Sequence, residues 1–484
     1  MGAESNQSVK EGSDLKVALD AHNIEYTNDD VVNHGTTPQE ERAMVRKMDL
    51  HIFPIVIALY ILDVINELTN PRVGNARLYG LEKDLGLKGD DYQLCVSVLF
   101  ITYVSFEMPA NLLLKMVQPR RFIPITAFSW GLVFLCIGFV QNKTQSIAVQ
   151  LLLDLFEAGY FPAICFYLTF FYRRRELALR IFFLFAASTI SGSTGGLLAY
   201  TIGFMDGIPT ILLGIVAYFI LSNDPQSANY LTERDKELCK IRSHLDGTSL
   251  GLAGDEKKID QQQCFEAWKD WKVWTIALAQ HGVTVMLYGY HLLVNHHSGT
   301  HTQLLTIPCY AAGAVVYLCI AYFSDKTGKR GIFAVGGCLT ACLGYGILLG
   351  TPQHGAGAQY AGCVIVAAGL YVAVGIPISW MPNNLPSHFK RAAGQGTSMT
   401  VGNCAGIYAA FLYRTNDSPE YKLGHGTALG FVFASGCLFG LTSLLLRREN
   451  KKRDRGERDH VLEGKTPEEI DRLGDYNPEY RYIY

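Results

Sequence analysis

The sequence predicts an all-α polytopic membrane protein: about twelve spanning helices in two six-helix bundles. Composition is the first indication. Of 484 residues, 18% are charged and 49% hydrophobic, with a mean hydropathy of +0.14, whereas soluble domains carry about a quarter charged residues. The second is distribution: apolar residues come in long blocks separated by short charged loops, not dispersed as for several soluble cores. The third is that the number of Lys and Arg alternates from one connection to the next. A net charge of −2 gives no electrostatic reason to expect nucleic acid. Composition also excludes disorder, a collagen-like repeat and a disulfide scaffold.

A helix needs ~20 mostly apolar residues at 1.5 Å each to cross ~30 Å of hydrocarbon. Such segments lie near 51–68, 92–114, 122–141, 146–171, 178–204 and 207–222, then near 273–294, 303–323, 332–351, 359–382, 392–413 and 425–446. The domains are therefore a polar N-terminus (1–48), a first bundle (49–222), a linker (223–271), a second bundle (272–447) and a tail (448–484). The N-terminus has no apolar core, so no cleavable signal peptide is expected. Most of the 12 Cys lie inside apolar blocks, where a thiol packs as a small hydrophobe. Cys239 and Cys264 lie in polar sequence and fit no metal spacing.

Loop charge sets the orientation. One set of connections holds Arg46 and Lys47, then Lys115, Arg120 and Arg121, then Arg173, Arg174, Arg175 and Arg180. It continues with Lys326, Lys329 and Arg330, then Lys390 and Arg391, then Arg447, Arg448, Lys451 and Lys452. The alternate set has Arg72, Arg77, Lys83 and Lys88 in its first loop, but only Lys143, Arg414 and Lys422 beyond it. This bias places both termini and the linker in the cytoplasm. The basic run 447–458 reads as solvated, retaining topology or touching anionic headgroups.

Ionisable groups cost several kcal/mol in hydrocarbon and are functional candidates by default. In the first half these are Asp63, Glu107, Asp154 and Glu157. Gln150, Asp154 and Glu157 recur at helical spacing, so one polar stripe of the fourth span faces the bundle interior. Such a carboxylate suits reversible protonation; interhelical hydrogen bonding is the plainer alternative, and Glu107 reads as structural. The second half supplies His281, Tyr288, Tyr290, His291, Tyr310, Asn383, Asn384, Asn403 and Tyr408, a set of donors and acceptors for a polar solute. Gly192 and Gly196 in span five, and Gly402 and Gly406 in span eleven, are matching small-residue pairs that let helices approach closely. The run from His296 to His301 lacks partner carboxylates, so no metal is expected. Nor is any cofactor, or the concentrated nucleophile or metal set an enzyme would need.

Ser324-Asp325-Lys326-Thr327-Gly328-Lys329-Arg330 resembles the Asp-Arg/Lys-x-Gly-Arg/Lys-Arg loop of the major facilitator superfamily. A Gly turn there lets the carboxylate cap a neighbouring helix end in one conformation and release it in another. Further blocks strengthen the likeness: Gly74-Asn75-Ala76-Arg77-Leu78, Gly80-Leu81-Glu82-Lys83-Asp84-Leu85, Phe106-Glu107-Met108-Pro109-Ala110-Asn111, Phe156-Glu157-Ala158-Gly159 and Gly424-His425-Gly426. Together they resemble the fungal allantoate permease branch, the anion:cation symporters, over roughly residues 45–460. The resemblance implies proton-coupled import of nicotinate-, pantothenate-, biotin- or allantoate-like anions at the plasma membrane, by a monomer embedded in lipid. It also marks Asp325, Lys326, Gly328, Lys329 and Arg330 as the gating loop, with Glu107 in a structural motif.

The chain departs from that pattern in four places. Asp63 is followed by Val64, with Asn70-Pro71-Arg72 displaced; Gln150 replaces an Arg and Asp154 a Gly. Gly203-Phe204-Met205-Asp206 runs directly into Gly207-Ile208-Pro209-Thr210, leaving a sixth span of only ~24 Å. A similar loss after Tyr288-Gly289 predicts a shortened seventh span. Fewer buried cations weaken the case for an anion, so export of a drug or metabolite, impaired transport and a nutrient-receptor role stay open.

Overall fold

A computed structural model describes residues 37–69, 91–137, 139–140, 143–174, 176–184, 186–187, 208–245, 261–295, 300–351, 356–409, 411–413, 421–466, 469–470 and 473–484. These residues form helices joined by turns, with no strand among those described. The first half contains α1 (Pro38–Thr69), α2 (Asp91–Val117), α3 (Pro119–Ile137), α4 (Lys143–Glu157), α5 (Tyr160–Phe171) and α6 (Ile208–Ile220). The linker contributes α7 (Glu233–Leu245) and α8 (Gln261–Lys269). The second half contains α9 (Trp271–Asn295), α10 (Thr300–Thr327), α11 (Arg330–Gly350), α12 (Ala356–Asn383), α13 (His388–Asn403), the single turn α14 (Gly406–Ala409) and α15 (Lys422–Asp454). Expectations resting on Arg72, Gly192, Gly196, the 203–207 junction and His296–Gly299 lie outside the described residues.

Local chemistry explains where several helices begin and what they pack against. At the start of α1, the Thr37 and Glu40 backbone N–H groups donate to each other's side chains at 3.1 and 3.3 Å, a capping box that satisfies two orphan donors. α3 packs on α6 and α2 on α4; α12 packs on α10 and α11, and α9 on α13 and α15. A β-carbon at Gly369 would sit 2.4 Å from the Ala341 backbone nitrogen, so only glycine permits the α11–α12 crossing. α2 meets α13 across the two halves.

The sequence reading needs four corrections. The seventh span is not shortened: α9 runs for 25 residues, because Leu292 and Leu293 continue the helix beyond Gly289. Of the sixth, 13 residues from Ile208 to Ile220 are described. The eleventh span is irregular at Cys404–Ala405, directly after Asn403, whereas the fourth runs on through Ala158–Gly159 as one apolar helix from Ile147 to Phe171. The basic tail is not simply solvated: α15 extends to Asp454, and Arg453 is buried because its guanidinium donates to the carbonyls of Asp475, Asn477 and Tyr480. Finally, the linker is not a bare tether. α7 is tied to α1 by Lys47–Asp235 at 2.7 Å and Arg242–Glu41 at 3.0 Å, whereas Trp268 of α8 donates to Thr397 of α13 at 3.1 Å.

Candidate functional site

Polar side chains gather at two levels. The first lies within the membrane-spanning helices, where the halves meet. Glu107 of α2 is fully buried, and its Oε1 accepts the Asn403 amide of α13 at 2.8 Å. Asn403 Oδ1 in turn accepts the Tyr288 hydroxyl of α9 at 3.1 Å. The Tyr103 hydroxyl lies within electrostatic range of the Glu107, Glu157 and Asp63 carboxyls and of Tyr288. An acid of the first half and two polar groups of the second thus meet at one seam. Tyr103 was not singled out in the sequence, where a lone Tyr in an apolar block carries no signal.

The irregular turn after Asn403 suits this level. Irregular backbone within a membrane is tolerated where protein buries it or a cavity receives it. Gly402 and Gly406 serve different neighbours here: a β-carbon at Gly402 would meet Gln280 of α9 at 3.2 Å, and one at Gly406 would meet Phe100 of α2 at 2.3 Å. The eleventh span's small-residue pair therefore admits both halves to one place.

His281 occupies a second position in this layer. Its Nδ1 lies 2.7 Å from the Val401 carbonyl, which only accepts, so Nδ1 carries the hydrogen. Nε2, 2.7 Å from the Tyr408 hydroxyl, accepts in neutral imidazole and donates once protonated. Gln150 and Asp154 are buried on α4, two turns and one turn before Glu157. One turn beyond Glu107 on α2, buried Asn111 has no side-chain hydrogen-bond partner among the described residues.

The second level is the end of the bundle where the basic connections collect, here termed the basic end. Asp325, at the end of α10, accepts the backbone N–H groups of Ala178 and Leu179 at 3.3 and 2.9 Å. Those groups open the helical segment after Arg173–Glu176, so a second-half carboxylate caps a first-half helix N-terminus. Gly328 has φ of +66°, and its N–H closes the turn onto Ser324. That turn brings Arg330, 1% exposed, against Asp325 at 3.0 Å and Ser379 at 2.7 Å. Arg330 and Asn383 both donate to the Arg174 carbonyl. Lys326 and Lys329 of the same loop point to solvent. Asp325, Gly328, Arg330 and Asn383 thus join the two halves at the basic end.

Comparison with known proteins agrees with this architecture. Residues 56–410 match the model of the Major Facilitator Superfamily. The chain is 32% identical to the uncharacterized transporter C1002.16c of Schizosaccharomyces pombe, over 88% of this chain and 87% of that one. It is also 32% identical to the high-affinity nicotinic acid transporter of Saccharomyces cerevisiae, over 95% and 88% respectively. The solved proton:xylose symporter XylE superposes with a TM-score of 0.58 at 13% identity, covering 83% of this chain and 96% of that one. The relatives are transporters, not enzymes, and the fold is a multi-pass membrane fold. By the span of its family match and the identity to these relatives, the chain belongs to the Major Facilitator Superfamily.

Proposed function

We propose that the chain is a secondary transporter of the fungal allantoate permease branch, importing a small carboxylate or vitamin-like solute with protons by alternating access. In this reading it works as a monomer in the plasma membrane, with the basic end and both termini in the cytoplasm. The observation that carries it is the seam Glu107–Asn403–Tyr288, where an acid of one half is held by the other at membrane depth. The 32% identity to a nicotinic acid transporter favours an anionic, vitamin-like solute.

Protonation of Glu107 removes the charge that holds the Asn403 amide, weakening a charge-assisted bond between the halves. Asn403 and Tyr288 are then released toward a solute. A proton gained by His281 must go on Nε2, which reverses its bond with Tyr408 and supplies a cation for a solute carboxylate. Asp63 and Glu157 flank the same seam, and Asp154 stands one turn away on α4. A second reading is export of a neutral drug or metabolite. It draws on Gln150 and Asp154 standing where the resembling permeases carry Arg and Gly.

Growth rescue of uptake-deficient cells across nicotinate, pantothenate, biotin, allantoate and related carboxylates tests the first reading. Rescue by at least one, with pH dependence lost in Glu107→Gln, is expected. Resistance to a toxic compound without rescue would select the exporter, and unchanged pH dependence in Asp154→Asn would remove Asp154 as a proton carrier.

A further inference from the structure

We propose that the second half carries a built binding site for the chain's own segment 475–484, and that seating this segment straps the basic end shut through Arg174 of the first half. The site begins with four buried charges. Lys272 Nζ lies 2.7 Å from Asp270 and 2.9 Å from Asp475; Lys390 Nζ lies 2.9 Å from Asp270 and 2.7 Å from Asp475. Without Asp475, two buried ammonium groups would share one carboxylate, which is costly in a desolvated place. The cluster is complete only with the segment in place.

Beyond Asp475 the site grips main chain. Arg453 donates to three of the segment's carbonyls, at 2.7 to 3.1 Å. Asn450 exchanges a pair of hydrogen bonds with the Tyr482 backbone, and Asn384 does the same with Ile483. Trp380 Nε1 donates to the Ile483 carbonyl at 2.6 Å. Each of these partners belongs to the second half. The segment therefore travels with that half.

Its reach to the first half runs through Arg174. The Arg174 guanidinium donates to the Arg481 carbonyl at 3.2 Å and stacks over the Tyr480 ring at 4.7 Å. The Tyr480 hydroxyl donates to the Asn383 carbonyl at 2.7 Å, and the Asn383 amide bonds the Arg174 carbonyl. Arg174 is thus gripped at its side chain by the strap and at its backbone by the gate. Separation of the halves must break the side-chain grip while leaving the strap seated. Burial works to raise the Asp475 pKa, but Lys272 and Lys390 outweigh it and hold the carboxyl below its usual range. The contribution of this depressed acid is present above the ordinary carboxylate titration and is lost only as pH falls through the lower value. The strap therefore holds across the neutral range and is no pH switch there.

The inference rests on the reading that the two halves move, but its test needs no solute. Ala178, fully buried in the gate, is changed to Cys in the full-length chain in lipid nanodiscs, and maleimide modification of residue 178 is followed by peptide mass. Tyr480→Ala, and separately a chain ending after Leu473, is expected to raise the modification rate roughly tenfold, the scale of losing one contact to a charged group. Arg481→Ala, which keeps the gripped carbonyl, is expected to leave the rate unchanged. A synthetic peptide of residues 474–484 is expected to restore protection to the shortened chain. Wild-type modification rates in both Tyr480→Ala and the shortened chain would overturn the strap, whereas failed solute uptake would count only against the transport reading.

Discussion

The basic end and the mid-membrane seam both join the two halves, but with different chemistry. At the basic end the bonds converge on main chain: Asp325 caps a helix N-terminus, while Arg330 and Asn383 share the Arg174 carbonyl. These contacts are mostly charge-assisted and redundant, so losing one leaves others. At the seam, Tyr288, Asn403 and Glu107 form a single chain of side-chain bonds in series. One proton on Glu107 alters every link. Redundant bonds to backbone set how firmly a state is held; a serial side-chain relay sets what that state responds to.

The largest expected effect breaks the first region. Arg330→Ala removes a buried guanidinium from half-buried Asp325 and should destabilise the closed protein by about 3–5 kcal/mol, seen as a lower thermal midpoint in detergent. A midpoint within error of wild type would show that the helix cap alone holds Asp325. Next, Glu107→Ala strands the Asn403 amide and should cost about 1–3 kcal/mol, whereas Glu107→Gln keeps an acceptor and should restore most of it. Equal losses in both would mean that the charge, not the hydrogen bond, joins the halves. Tyr288→Phe removes only the outer link and should cost about 0.5–1.5 kcal/mol. Smallest of all, Lys326→Ala should stay within about 0.5 kcal/mol, since this loop residue is exposed. A larger loss would assign Lys326 a role in the seal that its position does not explain.

Much of this molecule was legible from hydropathy. Most of the expected spans coincide with described helices, although α1 begins earlier and α15 ends later than expected, because apolar length is a local property. Gly328 was readable as a turn from its local sequence, whereas the cap that Asp325 supplies at Ala178 and Leu179 was legible only through the resemblance of its loop to a known motif. The seam was half legible: Glu107, Asn403 and Tyr288 stand out as polar groups in apolar blocks, but nothing local pairs Glu107 with a partner 296 residues away. The irregular turn after Asn403 is not legible, because small residues such as Gly402 and Ala405 are common inside membrane helices. The strap was illegible. Asp475 lies in polar sequence like any tail, and its partners Lys272 and Lys390 are brought to it only by tertiary folding.

The central claim is that an acid shared between the halves couples a proton to a small solute. Uptake of labelled nicotinate and a panel of small carboxylates into proteoliposomes, with and without an imposed pH gradient, tests it most directly. The account predicts accumulation of at least one solute that collapses when a protonophore dissipates the gradient and that loses its gradient dependence in Glu107→Gln. Entry of a solute at the same rate with the gradient present, absent or reversed would contradict it.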